Sequence, residues 1–211
     1  MPPASASPIR VLIVDDHPMV RDGIIGMLER QDDLSVVGEA ADGAQAVELF
    51  RERSPDVTLM DLQMPGMSGV EAIAAIRVLA PSARILVLTT FPGDALAVRA
   101  MRAGAAGYLL KNCIRHELVD AIRSVHAGRH ALSPDVAHQI AVHALDDPLT
   151  EREIEVLRHV AEGLANKEIG ARLNLSMDTI KAYLKSAFAK LDVNDRTLAV
   201  MVASRRGFLD R

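Results

Sequence analysis

Five side chains between residues 15 and 111 are of the kinds that handle phosphoryl groups and hard metal ions, and each stands just after a short apolar run. Asp15 and Asp16 follow the run 9–14 (IRVLIV), and Asp61 follows 57–60 and precedes the turn at Pro65-Gly66. Thr89 follows 84–88 (RILVL), and Lys111 follows 107–110 (GYLL). Three carboxylates brought together repel one another unless a cation lies among them. An all-oxygen donor set favours a hard ion, so the expected cofactor is Mg2+. An ammonium and a hydroxyl nearby suit the oxygens of a phosphoryl group, which makes Asp61 the candidate nucleophile for an aspartyl phosphate. Each residue also has a plainer reading. Asp15-Asp16 could cap a helix, Thr89 could reflect strand propensity, and Lys111 could be a solvated charge. It is their joint recurrence at the ends of apolar runs that argues for chemistry.

The elements that would position them alternate. Apolar runs at 9–14, 34–38, 57–60, 84–88 and 107–110 read as strands buried on both faces. Between them lie helical periodicities: Pro18 to about residue 30, a capping-box start at Asp42 and Gln45, residues 68–79 closed by Pro81, residues 94–103, and 115–127. Five βα units over residues 9–127 predict an α/β domain with a flavodoxin-like, five-stranded parallel sheet in the order 2-1-3-4-5. In that order strands one and three flank the topological switch point, where Asp15, Asp16 and Asp61 would meet.

Composition sets bounds. The chain has 211 residues, 49% of them apolar, enough for one good core and a smaller one. Its single cysteine, Cys113, excludes an internal disulfide and fits a reducing compartment. No window approaches a membrane span, and residues 1–8 carry neither a basic nor an apolar leader, so a disordered tail on a cytoplasmic protein is expected. The seven histidines are scattered, and neither GxGxxG nor GK[ST] occurs. Charge divides the chain: 12 basic and 16 acidic side chains lie before residue 128, against 11 and 9 from residue 148 onward. Two domains with different partners follow.

Residues 128–147 read as a linker containing a helix that starts at Ser133-Pro134, with Val136, Ala137, Ile140, Ala141 and Ala144 at helical spacing. Residues 148–211 read as an all-α, four-helix domain. Thr150 and Glu153 form a capping box, a short helix covers 166–173, Ser176 caps a third helix to about residue 190, and Asp195 or Asn194 caps a fourth. Two helices joined by a short turn are the parts of a helix-turn-helix. On the third helix Ile180, Leu184, Ala187, Phe188 and Leu191 form the buried stripe, while Lys181 and Lys185 flank Ala182 on another face. That grouping suits a DNA major groove; the plainer reading is a solvated helix face.

Two resemblances bear on these residues. Asp15-Asp16-His17-Pro18, residues 60–66 (MDLQMPG), Leu88-Thr89 and Lys111 resemble the receiver domain of bacterial two-component response regulators over about residues 10–127. The resemblance implies that Asp61 accepts phosphate from a sensor histidine kinase. It implies Mg2+ held by Asp16, Asp61 and the Gln63 backbone carbonyl, with Asp15 acting mainly through water. Thr89 and Lys111 would contact the phosphoryl oxygens, and Tyr108 would be the aromatic that switches with Thr89. Ser68 stands where many relatives carry an acid. Residues 149–153 (LTERE), 163–169 (GLANKEI) and 176–181 resemble the LuxR-type DNA-binding domain. This second likeness implies base-edge contacts from Lys181, Ala182 and Lys185, a phosphate contact from Lys167, and homodimerisation through the last helix; Tyr183 departs from the histidine usual in relatives. The whole chain therefore resembles a NarL/FixJ-type response regulator, implying a phosphorylation-switched regulator bound to double-stranded operator DNA. A regulator indifferent to phosphate is an alternative. An aspartyl-nucleophile phosphatase is another, although the position two residues after Asp61, where such enzymes need an acid, is Gln63. No enzymatic activity is expected beyond self-phosphotransfer and slow autodephosphorylation.

Overall fold

The computed structural model describes residues 7–90, 94–132, 136–137 and 149–209. The chain divides into two compact units, one formed mainly by residues before 138 and one mainly by residues after it.

In the first unit β1 (Ile9–Val14), β2 (Leu34–Ala40), β3 (Val57–Asp61), β4 (Ile85–Thr89) and β5 (Gly107–Leu110) alternate with α1 (Pro18–Leu28), α2 (Gly43–Arg53), α3 (Gly69–Leu79), α4 (Asp94–Ala103) and α5 (Ile114–His126). The sheet is parallel throughout, in the order β2-β1-β3-β4-β5-β6. The first five strands stand in the expected order. The sixth, β6 (Ala131–Leu132), corrects the five-strand count and takes two residues from the segment read as linker. It pairs Ala131 with Gly107 and Leu132 with Tyr108. Gly107 permits the approach: a Cβ there would lie 2.8 Å from the Ala131 carbonyl oxygen. Beyond Val136 and Ala137, which are helical, the helix expected after Ser133-Pro134 lies outside the described residues, as do residues 1–6 of the tail.

Every central strand buries nearly all its side chains, because helices cover both faces. Ile24 and Leu28 of α1 and Ile114, Leu118, Ile122 and Val125 of α5 pack on Val11, Ile13, Leu59, Leu86 and Leu88. Each such side chain contributes about 2 kcal/mol of apolar burial. Helix starts are specified locally. Pro18 opens α1, and Asp42 accepts the Gln45 N–H. Ser68 and Glu71 form a reciprocal capping box. At α2 the Gln45 side chain accepts the Ala41 N–H at 3.2 Å, one residue beyond the Asp42 N–H that the capping-box pattern suggests. Gly69 lets α3 begin against the end of β3, since a Cβ there would fall 2.0 Å from the Asp61 carbonyl oxygen.

The second unit contains α6 (Glu151–Ala161), α7 (Asn166–Leu173), α8 (Met177–Leu191) and α9 (Arg196–Arg205). Val156, Leu157, Val160, Ile169, Ile180, Leu184, Ala187, Leu191, Ala199 and Ala203 form its core. Thr150 caps α6 with Glu153 in a reciprocal box, Ser176 caps α8, and Asp195, rather than Asn194, caps α9. Among the described residues Glu153 is the buried charged side chain of this unit, 3% exposed. It accepts the Thr150 N–H at 2.6 Å and Lys190 Nζ at 3.1 Å, tying the start of α6 to the end of α8. Burial would raise its pKa, but hydrogen bonds from Ser186, Thr150 and Lys190 outweigh burial and hold it below the usual glutamate value.

Candidate functional site

The ends of β1, β3 and β5 bring Asp15, Asp61 and Lys111 into contact. Asp15 is 1% and Asp61 3% exposed. Lys111, which opens a 3-10 turn after β5, places Nζ 2.7 Å from Asp61 Oδ2 and 2.7 Å from Asp15 Oδ2. Lys111 thus donates a hydrogen bond to Asp61 and is ion-paired with both carboxylates. Asp61 also accepts the Gln63 N–H at 3.4 Å, at the outer limit of a useful bond. Asp15 is fixed from both sides: Oδ1 accepts the His17 N–H at 2.9 Å, and its carbonyl accepts Arg21 Nη1 at 2.7 Å. Asp16 is half-buried at the rim, with His17 Nδ1 2.6 Å from its Oδ1.

Burial pushes the Asp61 carboxyl above its ordinary value and the Asp15 charge adds to this, while Lys111 opposes both. Desolvation works to lower the Lys111 pKa, but the two aspartates outweigh it and hold the ammonium above its ordinary value. The pocket is therefore a desolvated pair of carboxylates clamped by one cation. Ligand atoms of Asp15, Asp16, His17 and Asp61 all lie within 4.8 Å of one another. Asp15 Oδ2 and Asp16 Oδ1 each face one cationic or imidazole nitrogen, Lys111 Nζ and His17 Nδ1 respectively. Carboxylate oxygens clustered beside an open depression of about 530 Å³ lined by Asp16, Gln63, Met64, Pro65 and Gly66 suit a hard divalent ion.

Thr89 ends β4, fully buried. Tyr108 of β5 is 1% exposed and pairs with Val87, two residues before Thr89 on the neighbouring strand. The five strand-end residues and Tyr108 thus occupy one edge of the sheet and the strands leading to it. Sequence reasoning did not foresee that His17 would lean on Asp16; the only signal was its position directly after the acid pair.

In the second unit Lys181, Ala182 and Lys185 lie exposed on α8, and Lys167 lies exposed as the second residue of α7. The stripe facing the core is Ile180, Leu184, Ala187 and Leu191, with Phe188 only half-buried. Lys181 makes one loose contact, 3.2 Å to Asp178. Tyr183, the departure noted above, is half-buried and packs against the core rather than projecting beside the lysines.

A doubly wound sheet with an aspartate-lysine pocket, followed by a helix-turn-helix with a basic exposed helix, defines the response-regulator class. The family described as "Response regulator receiver domain" matches residues 11–123, and "Bacterial regulatory proteins, luxR family" matches residues 147–203. The transcriptional regulatory protein LiaR of Bacillus subtilis (strain 168) is 44% identical over 205 residues, 93% of this chain and 97% of that one. The response regulator protein VraR of Staphylococcus aureus (strain NCTC 8325 / PS 47) is 38% identical over 206 residues, 95% and 99% of the two chains. Among solved structures, RcsB from Salmonella enterica serovar Typhimurium, bound to promoter P1flhDC in the presence of the phosphomimetic BeF3-, has a TM-score of 0.71 at 32% identity. That match covers 94% of this chain and 99% of RcsB. The chain belongs to the NarL/FixJ family of DNA-binding, two-component response regulators. Among the described residues no helix is long and apolar enough to cross a membrane.

Proposed function

We propose that Asp61 is the phospho-acceptor and that its phosphorylation by a sensor histidine kinase switches the affinity of the helix-turn-helix for operator DNA. The observation that carries this reading is Lys111 Nζ at 2.7 Å from both Asp15 and Asp61. A carboxylate desolvated at a sheet edge and already paired with an ammonium is arranged for a group that brings more negative charge. An Asp61 oxygen attacks the phosphorus of a phosphohistidine; the new P–O bond forms as the P–N bond breaks, and the imidazole leaves and takes up a proton. Lys111 moves from the carboxylate to a phosphoryl oxygen, and the Thr89 hydroxyl donates to another. Asp16, Asp61 and the Gln63 carbonyl, with Asp15 through water, would hold Mg2+, which supplies neutralisation of the phosphoryl charge during transfer. Tyr108 follows Thr89 and alters the surface around β4 and β5. The protein's own chemistry is limited to this self-phosphotransfer and a slow autodephosphorylation. Lys181, Ala182 and Lys185 read base edges, Lys167 holds a phosphate, and the DNA-bound form is a homodimer joined through α9.

The test is incubation with acetyl phosphate and Mg2+, followed by mass and oligomer measurement on wild type and Asp61→Asn. The expected result is a phosphoryl mass gain and dimer formation in wild type alone. No gain in wild type, or an equal gain in both, overturns the assignment.

A further inference from the structure

Arg196, the first residue of α9, reaches across to the start of α7. Its Nη1 donates to Asn166 Oδ1 at 3.2 Å, and its Nη2 donates to the Leu164 carbonyl. A guanidinium has five donors and no acceptor, so an amide facing it must present oxygen. The choice between the two nearly equal ends of the Asn166 amide is thereby made: the NH2 group points away from Arg196. Among the described residues, nothing accepts from Nδ2. Asn166 lines an open groove of about 480 Å³ together with Lys181, Leu184, Lys185 and Phe188. The groove therefore has lysines and an amide around an apolar floor, a lining matched to a sugar-phosphate strand. The first N–H groups of α7, those of Asn166 and Lys167, have no intrahelical partner, and the Glu168 carboxylate turns back to cap the Ala165 N–H at 2.6 Å. An anion at this corner meets oriented donors.

We infer that Arg196 is a positioning residue for DNA binding, holding Asn166 so that Nδ2 donates to a backbone phosphate at the edge of the groove that α8 enters. The inference rests on the reading of this face as the DNA-binding one. It adds a neutral phosphate donor and makes the start of α9 part of the DNA contact. If Arg196 only braced the loop before α7, its bond to the Leu164 carbonyl would suffice and the identity of residue 166 would not matter to DNA.

The experiment measures anisotropy of a labelled, mixed-sequence duplex of about two helical turns with the full chain at several salt concentrations, because phosphate contacts do not depend on sequence. Asn166→Asp keeps an oxygen toward Arg196 but removes the donor and adds a charge; affinity should fall about tenfold or more, with no drop in the unfolding midpoint. Asn166→Ala should weaken binding without changing the salt slope, since an amide displaces no counterion, whereas Lys167→Ala should reduce the slope by about 0.9. Arg196→Ala should lower affinity about threefold or more in the wild-type background and not at all in the Asn166→Ala background. Unchanged binding by Asn166→Asp, or equal effects of Arg196→Ala in both backgrounds, overturns the inference. Lys181→Ala with Lys185→Ala separates the two levels. Loss in that pair with none in Asn166→Asp rejects the inference alone, and retention by the lysine pair, or no binding by wild type, rejects the DNA-binding reading with it.

Discussion

The two charged regions of this chain use the same residue types in opposite ways. At the sheet edge the Lys111 side chain is 10% exposed and lies 2.7 Å from two carboxylates whose side chains are at most 4% exposed. On α8 Lys181 is 56% exposed and its contact with Asp178, 88% exposed, is 3.2 Å. The first lysine is part of the fold; the second is held by little more than water. The difference follows from what each must do. A carboxylate that takes a covalent phosphoryl group needs its cation fixed beforehand, so that nothing must reorganise during transfer. A lysine that meets a polyanion works by releasing the counterions of the DNA, which needs only a charge free to change partners.

That contrast can be tested by removing charges and asking whether stability or binding responds. Lys111→Ala should have the largest effect on the fold: with the cation gone, two buried carboxylates face each other, and about 3 kcal/mol of stability should be lost at neutral pH. The loss should shrink as pH falls, because protonating Asp61, whose pKa burial already raises, removes the repulsion. A chemical-denaturation series across pH checks it; an equal loss at all pH values would break the comparison. Lys181→Ala with Lys185→Ala should reduce affinity for duplex DNA about a hundredfold and the salt slope by about 2, with the thermal midpoint unmoved. Glu153→Gln tests whether the second unit has a buried charge of the first kind. Losing the charge-assisted hydrogen bonds should remove about 2 kcal/mol at neutral pH. The sign follows from a lowered folded-state pKa: the contribution is complete above the usual glutamate value and disappears as pH falls through the folded value. Wild type and variant should therefore converge in acid. The smallest effect is expected for Asp61→Asn on stability. Because folding raises the Asp61 pKa, its ionised form opposes folding at neutral pH, and the amide should raise the unfolding midpoint slightly while abolishing phosphorylation.

Much of the receiver was readable in the sequence because each site residue ends an apolar run, and strand, turn and helix start are all specified within a few residues. Asp61 after 57–60 and Ser68 before α3 are examples, the latter meeting Glu71 in a reciprocal box. What could not be read depends on distance along the chain or on very short segments. Arg196 and Asn166 meet across 30 residues with no periodicity linking them. Lys190 meets Glu153 across 37. The bridging of Asp15 and Asp61 by one ammonium requires the register of three strands, which run lengths do not fix. Two residues, Ala131 and Leu132, are too few to show a strand period, and the signal that admits them is an absent Cβ at Gly107 on another strand.

That short sixth strand also has a mechanical meaning. It is a two-residue clasp at the edge of the sheet, fastened to the strand that carries Tyr108. An extended residue spans about 3.3 Å, so unfastening the pair would free up to about 7 Å of chain at the edge of the sheet. A clasp of so few bonds opens at little free-energy cost.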